Sequence, residues 1–220
     1  MIAQRRRMVQ DQIRDRGVTD PEIIDVMLTL PREAFVPSDV RNRAYEDRAL
    51  PVGNDQTISQ PFIVAYMTNL LQPMRDCTVL EIGTGTGYQT TILARLAKWV
   101  YSVERIAPLH EAASARLVEM KVTNVRLFLC DGSIGLPDHA PYDRILVTAA
   151  APKIPDTLKD QLADGGILVA PIGGLKEQTL VRVDRKGDRF VETATLGCRF
   201  VKLIGQEAWP ADINHPRDPR

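Results

Sequence analysis

The sequence has no excess charge of either sign. Its 220 residues carry 28 Lys plus Arg against 28 Asp plus Glu, so no global field draws it to nucleic acid or to an anionic membrane. Cysteine is scarce: Cys77, Cys130 and Cys198 stand far apart, with no C-x-x-C and no nearby histidine pair. That pattern offers no recognisable metal site and reads as reduced thiols in a cytoplasmic protein. No apolar run approaches the length of a membrane span. Met1 to Gln12 holds Arg5, Arg6 and Arg7 but none of the apolar stretch a secretory signal needs. There is no internal repeat. What remains, 44% hydrophobic and 25% charged residues, is an ordinary globular balance on a chain sized for one α/β domain with a real core.

The stretch Thr78 to Tyr88, TVLEIGTGTGY, organises the rest. Val79, Leu80 and Ile82 form a short apolar run suited to a buried strand. Gly83, Gly85 and Gly87 follow at alternate positions, and Thr90 to Ala97 reads as a helix. Strand, glycine turn and helix are the parts of a nucleotide site in an open α/β sheet, because glycine lets the backbone approach a ligand that a Cβ would push away. The spacing is G-x-G-x-G, not the G-x-G-x-x-G of dinucleotide sites. Glu81 lies two residues ahead of the first glycine, and a carboxylate there suits an ammonium or a ribose better than a pyrophosphate. The next strand, Trp99 to Val103, ends at Glu104, 21 residues after Gly83, where an acid can accept hydrogen bonds from both ribose hydroxyls of an adenosine. The ligand these features suit has an adenosine, a cationic amino-acid end and no phosphate. S-adenosylmethionine fits that description.

Elsewhere, residues 2–16 read as a helix with arginines around an apolar side. Thr19-Asp20-Pro21-Glu22 reads as a capping box that opens a helix running to about Thr29. Residues 38–55 read as loop or short irregular helix. Gln56-Thr57-Ile58-Ser59-Gln60-Pro61 precedes an apolar helix from Phe62 to Leu71. Its hydroxyls can cap that helix or seat a carboxylate at its N-terminus, and both can hold. An amphipathic helix over 107–120 leads to a strand over 125–129 ending in Cys130-Asp131-Gly132, where Asp131 either accepts an adenine amine or only starts a turn. A strand over 144–148 is followed by Ala149, Ala150, Ala151 and Pro152, small residues that let a substrate come close. A helix over 155–162, a turn at Asp164-Gly165-Gly166 and a strand over 167–171 come next. From Gln178 the pattern turns to strands without helices, over 178–184, 189–196 and 199–204, which would finish a parallel sheet with an antiparallel edge. The tail from Trp209, rich in proline and charge, reads as poorly ordered.

These residues resemble the protein-L-isoaspartate O-methyltransferases, S-adenosylmethionine-dependent enzymes that methylate age-damaged aspartyl sites in proteins. The resemblance runs from about Arg5 to Trp209. It is carried by Pro31-Arg32-Glu33-Ala34-Phe35-Val36-Pro37, Ala49-Leu50-Pro51-Val52-Gly53, the Gln56 to Pro61 segment, the glycine loop, and Val147-Thr148-Ala149-Ala150-Ala151-Pro152. The glycine loop is common to many methyltransferases, whereas T-I-S-Q-P together with T-A-A-A-P is particular to this family. The resemblance implies an α/β, Rossmann-like methyltransferase fold: a mostly parallel sheet, an antiparallel C-terminal hairpin and an N-terminal helical extension. It implies one domain over 1–208, with 1–76 helical and on the substrate side and 77–208 the cofactor-binding core. Ser59 is implied as the active-site serine with Thr57 beside it, and cofactor contacts are implied from Thr57, Ser59, Glu81, Gly83, Gly85, Gly87, Glu104, Asp131 and Gly132. The implied partners are isoaspartyl-containing proteins and peptides. With the composition, this points to a cytoplasmic monomer working without metal, nucleic acid or membrane. Two positions depart from the family's pattern. Asp55 stands where a glycine is frequent, and Arg199-Phe200-Val201-Lys202-Leu203 has lysine where proline is usual, on a segment implied to border the substrate peptide.

In the implied reaction the carboxylate of an L-isoaspartyl residue attacks the sulfonium methyl group in line and S-adenosylhomocysteine is released. The ester then closes to a succinimide, which reopens partly as normal aspartate. A carboxylate with a pKa of about 4 is already ionised at neutral pH, so no general base is needed. His110, His139 and His215 accordingly read as surface residues. The rival readings are a methyltransferase of the same fold for a dedicated peptide or small-molecule carboxylate, an NAD-dependent oxidoreductase, and a binding protein without turnover. The oxidoreductase is disfavoured by the glycine spacing, Glu81 and the all-strand C-terminus.

Overall fold

The computed structural model describes residues 1–211 and begins with helices packed on their apolar sides. α1 (Ile2–Arg7) continues into a wide turn over Met8–Ile13 and a tight one over Arg14–Arg16, so the helix read over 2–16 is present but changes its winding. α2 (Pro21–Thr29) starts because the Asp20 carboxylate accepts the N–H groups of Glu22 and Ile23 at 2.9 and 3.0 Å, while Pro21 takes the first position, where its missing N–H costs nothing. Asp20, not Thr19, is therefore the cap. Met8, Val9, Ile13, Ile23, Ile24 and Met27 meet in one buried cluster with Phe35 and, from the later part of the chain, Tyr88 and Ile92.

Residues 38–55 are more ordered than expected. Short turns over Arg32–Phe35 and Ser38–Arg43 lead into β1 (Leu50–Gly53), which pairs antiparallel with β2 (Gln56–Ile58) through Leu50 opposite Ile58 and Pro51 opposite Thr57. Asn54 and Asp55 close this hairpin with φ of 53° and 56°. Two left-handed residues in a row are the type I′ geometry that matches strand twist, and Asn and Asp tolerate it better than other side chains. α3 (Pro61–Leu71) follows at once.

The remaining elements build one sheet. β3 (Thr78–Ile82), α4 (Tyr88–Leu96), β4 (Trp99–Glu104), α5 (Ala107–Glu119), β5 (Val125–Leu129), β6 (Tyr142–Val147), α6 (Asp156–Asp160), β7 (Leu162–Gly173), β8 (Gln178–Lys186) and β9 (Arg189–Cys198) follow in order. Among the described residues the strands form a seven-stranded sheet ordered β5-β4-β3-β6-β7-β8-β9. The first five are parallel, and β7-β8-β9 close the edge antiparallel. That is the expected mixed sheet. Strand alternation splits the core: Leu80 and Ile82 face Ile145, Leu168 and Tyr142, while Val79 faces the other way onto Met67, Leu71 and Leu93 of α3 and α4. Each fully buried Leu or Ile contributes roughly 1.5–3 kcal/mol of burial.

Several elements differ from the reading of the sequence. The helix expected over 155–162 spans only Asp156–Asp160, because Leu162 already pairs with Tyr142 as the start of β7. The Asp164-Gly165-Gly166 turn is a register shift inside that long strand. Residues 199–204 form no strand. They run beside the backbone of Ala150, whose N–H donates to Val201 and whose carbonyl accepts from Leu203. Trp209, expected to begin a loose tail, is held by an N–H bond to the Leu203 carbonyl; the rest of that expectation falls on 212–220, outside the described residues. His139 is half-buried, with its ring stacked at 4.6 Å from the ring centre of Tyr101, so it is packed more than a freely exposed surface residue. His110 is also half-buried, and His215 lies outside the described residues.

Candidate active site

The chain leaves β3 outward through β4 and β5, then returns to add β6 on the other side. Open α/β sheets form a ligand crevice at such a switch point, beyond the carboxyl ends of the strands. Here a cleft of about 1020 Å³, including its open mouth, lies at that place. Its floor is Gly83, Thr84 and Gly85 after β3, Glu104 after β4, Gly132 after β5, and Thr148 and Ala149 after β6. Its other wall is Gln56 to Ser59 from the hairpin and the Phe200 to Ile204 segment.

The first glycine is dictated by what crosses behind it. Gly83 has φ of 100°, a backbone region unfavourable to other residues, and a Cβ there would run into the hydroxyl of Thr148. That hydroxyl is engaged, donating toward the carbonyls of Ile82 at 2.9 Å and Gly83 at 2.7 Å. Gly132 is packed as closely, since a Cβ would lie 2.6 Å from Ile82 Cγ2.

Three acids were expected to meet the ligand, and the structure separates them. Glu104 lines the cleft. Its Oε2 accepts the Gly85 N–H at 2.8 Å, and Oε1 accepts from Arg105 and Ile106 at 2.8 and 2.9 Å. Oε2 thus fixes the glycine loop and keeps capacity for a further donor. Glu81 does not line the cleft. It is fully buried beneath the loop, where Oε2 accepts from Thr90 Oγ1 at 2.5 Å and Ser102 Oγ at 2.6 Å, and Oε1 has no partner among the described residues. Burial pushes its carboxyl up to about 7; the two hydroxyls oppose the rise and the charge of Glu104 adds to it. Asp131 stands just outside the lining. Its Oδ1 accepts from the N–H and hydroxyl of Ser133, both at 2.8 Å, and its Oδ2 from the Gln206 N–H at 2.8 Å.

Ser59 and Thr57 face the same cleft from the hairpin side. Neither hydroxyl caps α3: its N-cap is Gln60, and no side chain bonds the free N–H groups there. The cap reading of Ser59 therefore fails in the structure, and its half-buried side chain borders the cleft beside a helix N-terminus. The Ser59 carbonyl, by contrast, is tightly held, accepting from Arg32 Nη2 at 2.7 Å.

Of the residues singled out in the sequence, Thr57, Ser59, Gly83, Gly85, Glu104 and Gly132 converge on one cleft; Glu81, Gly87 and Asp131 support it from outside. The sequence reading missed the hydroxyl chain under the loop, in which Thr84 Oγ1 lies 2.6 Å from Ser102 Oγ. It also missed Arg116, which ties the carbonyl of Ala34 to that of Thr86 at 2.9 and 2.6 Å and so joins the helical region to the glycine loop. No local pattern marks either. The donor set fits a nucleoside with a cationic end. An acid stands at the end of β4, a carboxylate oxygen is orphaned beneath the loop, and the loop from Gly83 to Tyr88 bears no lysine or arginine to hold a phosphate.

Comparison with known proteins agrees with this architecture. Residues 3–208 match the family model described as protein-L-isoaspartate(D-aspartate) O-methyltransferase. A protein-L-isoaspartate O-methyltransferase of Methanoregula boonei is 50% identical over 206 residues, covering 94% of this chain and 95% of the relative. One from Pelobacter propionicus is 51% identical over 209 residues, covering 93% and 97%. Among solved structures, a protein-L-isoaspartate O-methyltransferase superposes with a TM-score of 0.84 at 30% identity, over 93% of this chain and 67% of that one. A Plasmodium falciparum structure described as the same enzyme, solved with S-adenosyl-L-homocysteine, gives a TM-score of 0.78 over 91% and 98%; at 21% identity its likeness is one of fold.

Proposed function

The chain belongs to the protein-L-isoaspartate(D-aspartate) O-methyltransferase family, and from that premise we propose that it methylates the free carboxylate of L-isoaspartyl residues, with Ser59 orienting the acceptor. The observation that carries this reading is the Ser59 hydroxyl, uncommitted to the helix beside it and facing the cleft that ends at the glycine loop. A serine there donates to one oxygen of an anionic acceptor while the free N–H groups of α3 favour its charge. No base is required, because the acceptor is already ionised at neutral pH. Ser59 is a hydrogen-bond donor, not a nucleophile.

When bound, S-adenosylmethionine supplies a methyl group on a sulfonium, so that one acceptor oxygen gains the O–CH3 bond while the methyl–sulfur bond breaks and its electron pair stays on sulfur, giving a neutral ester and a neutral thioether. The chain's own contribution is alignment and exclusion of water. Val64, Met67, Leu109 and Phe200 give the cleft apolar walls. Glu104 would receive one ribose hydroxyl on its remaining lone pair while holding Gly85 in place. The Asp131-Gly132 turn shapes the adenine end, with Asp131 Oδ2 able to accept one more donor. Glu81 acts through the loop as a buried negative charge beneath the cationic end, and Gly83, Gly85 and Gly87 shape the turn. Thr57 borders the acceptor pocket. The ester so formed closes to a succinimide, which begins repair of damaged proteins and peptides. We further infer one functional unit over 1–208, with 1–76 on the substrate side and 77–208 holding the cofactor. It acts as a cytoplasmic monomer without membrane or nucleic-acid partner. The balanced charge and the three unpaired thiols support this setting.

The test is Ser59→Ala. Loss of one hydrogen bond to a charged group costs about 1.5–3 kcal/mol, so kcat/KM on an isoaspartyl peptide falls roughly 10- to 100-fold. Unchanged kcat/KM would remove Ser59 from the mechanism.

A further inference from the structure

Among the described residues, Arg32 is the largest fully buried side chain, and nothing in the fold neutralises its charge. Its Nε donates to the Ala44 carbonyl at 2.7 Å and its Nη2 to the Ser59 carbonyl at 2.7 Å. Its guanidinium carbon lies 5.0 Å from the centre of the Tyr88 ring, and Nη1 has no partner. Glu33, next in the chain, is engaged by Arg5 and Tyr45. A fully buried arginine is normally paired, because two carbonyls and a ring face offset only part of the cost of leaving water. What its fork does hold is the backbone of Ser59, and the ring it faces belongs to Tyr88, another residue lining the cleft.

We propose that Arg32 is a positioning residue for methyl transfer: it fixes the Ser59 backbone and, from behind it, supplies a buried positive charge whose counter-ion is the acceptor carboxylate itself. This rests on the reading of Ser59 given above. The consequence has a sign. The acceptor is an anion when it binds and loses that charge as the ester bond forms, so a fixed cation favours the bound acceptor more than the transition state. Removing the charge raises KM with a smaller change in kcat, whereas loosening Ser59 alone lowers kcat.

The experiment measures, by calorimetry on enzyme loaded with S-adenosylhomocysteine, the affinity of an L-isoaspartyl peptide against its isoasparagine counterpart, in which the free carboxylate is a carboxamide. Wild type prefers the carboxylate by about ten-fold or more, the order expected for one charge pair across a partly desolvated gap. Arg32→Met brings the ratio toward one and raises KM more than it lowers kcat. Arg32→Lys, which keeps the charge without the fork, retains the ratio and loses kcat. If Arg32→Met is too unstable to purify, Arg32→Gln takes its place. The proposal is overturned by a wild-type ratio near one, by Arg32→Met keeping the wild-type ratio, or by Arg32→Lys losing it as fully as Arg32→Met. It is also overturned if the ratio collapses only in Lys202→Gln, the cation on the Phe200 to Ile204 segment that lines the same cleft. A wild type that neither binds nor methylates either peptide sinks the isoaspartyl reading itself; one that methylates with an Arg32-independent ratio sinks only this inference.

Discussion

Glu81 should make cofactor binding depend on pH in a region where the small ligand itself does not titrate. Its carboxyl is pushed from the ordinary 4.5 up to about 7 by complete burial beneath the glycine loop. A raised carboxyl favours the protonated folded state. The stability this contributes is fully present below 4.5 and is lost as pH rises to about 7, a change on the order of 3 kcal/mol. A cation held above the loop reverses the preference, because it favours the ionised carboxylate. Binding of S-adenosylhomocysteine, which keeps the ammonium end, then expels a proton from Glu81. Isothermal titration in buffers of different ionisation enthalpy should show close to one proton released at pH 6 and little release at pH 8. The affinity should fall toward ten-fold per pH unit below about 7, the limit for one coupled proton. Glu81→Gln mimics the protonated form. It should unfold no more easily than wild type at pH 8, yet bind S-adenosylhomocysteine weakly and without pH dependence. Affinity that is flat between pH 6 and 8, with no proton exchanged, would refute the reasoning.

Two further substitutions probe the scaffold. Gly83→Ala combines a left-handed backbone with a collision at Thr148, so it should lose about 1–3 kcal/mol in urea unfolding and most cofactor affinity. Adding Thr148→Ala should recover only the steric part, and wild-type stability in the single variant would contradict the packing described. Asp55→Gly removes the left-handed strain in the hairpin turn and should raise stability by about 0.5 kcal/mol with kcat unchanged; a fall in melting temperature would show that Asp55 makes an interaction of its own.

The centre of the fold was legible because its signals are local. An apolar run ending in glycines at alternate positions can hardly be other than a buried strand feeding a tight turn, and Glu104 follows at a spacing set by one helix and one strand. The switch from helix-separated strands to consecutive strands after Gln178 likewise announced the antiparallel edge. The hairpin before Ser59 was not legible, since its strands are only four and three residues long and its turn is Asn-Asp, not Asn-Gly. Residues 199–204 have strand composition, yet their backbone meets only isolated partners, Ala150, the Gln178 side chain and Trp209, which sequence cannot assign. Glu81 and Arg32 show the same limit at the site. Burial of a charge, and whether a partner waits for it, are properties of elements far apart in the chain. The sequence suggested an acid near an ammonium. It could not show that the acid lies beneath the loop, nor that an arginine without a carboxylate stands behind Ser59.

The central claim is that the anion held at Ser59 is the free carboxylate of an isoaspartyl residue. The most direct measurement is transfer of labelled methyl from S-adenosylmethionine to an L-isoaspartyl peptide and to the same peptide with normal aspartate, read as base-labile volatile methanol. The account predicts labelling of the isoaspartyl peptide alone. Equal labelling of both, or of neither while S-adenosylhomocysteine still binds, would contradict it.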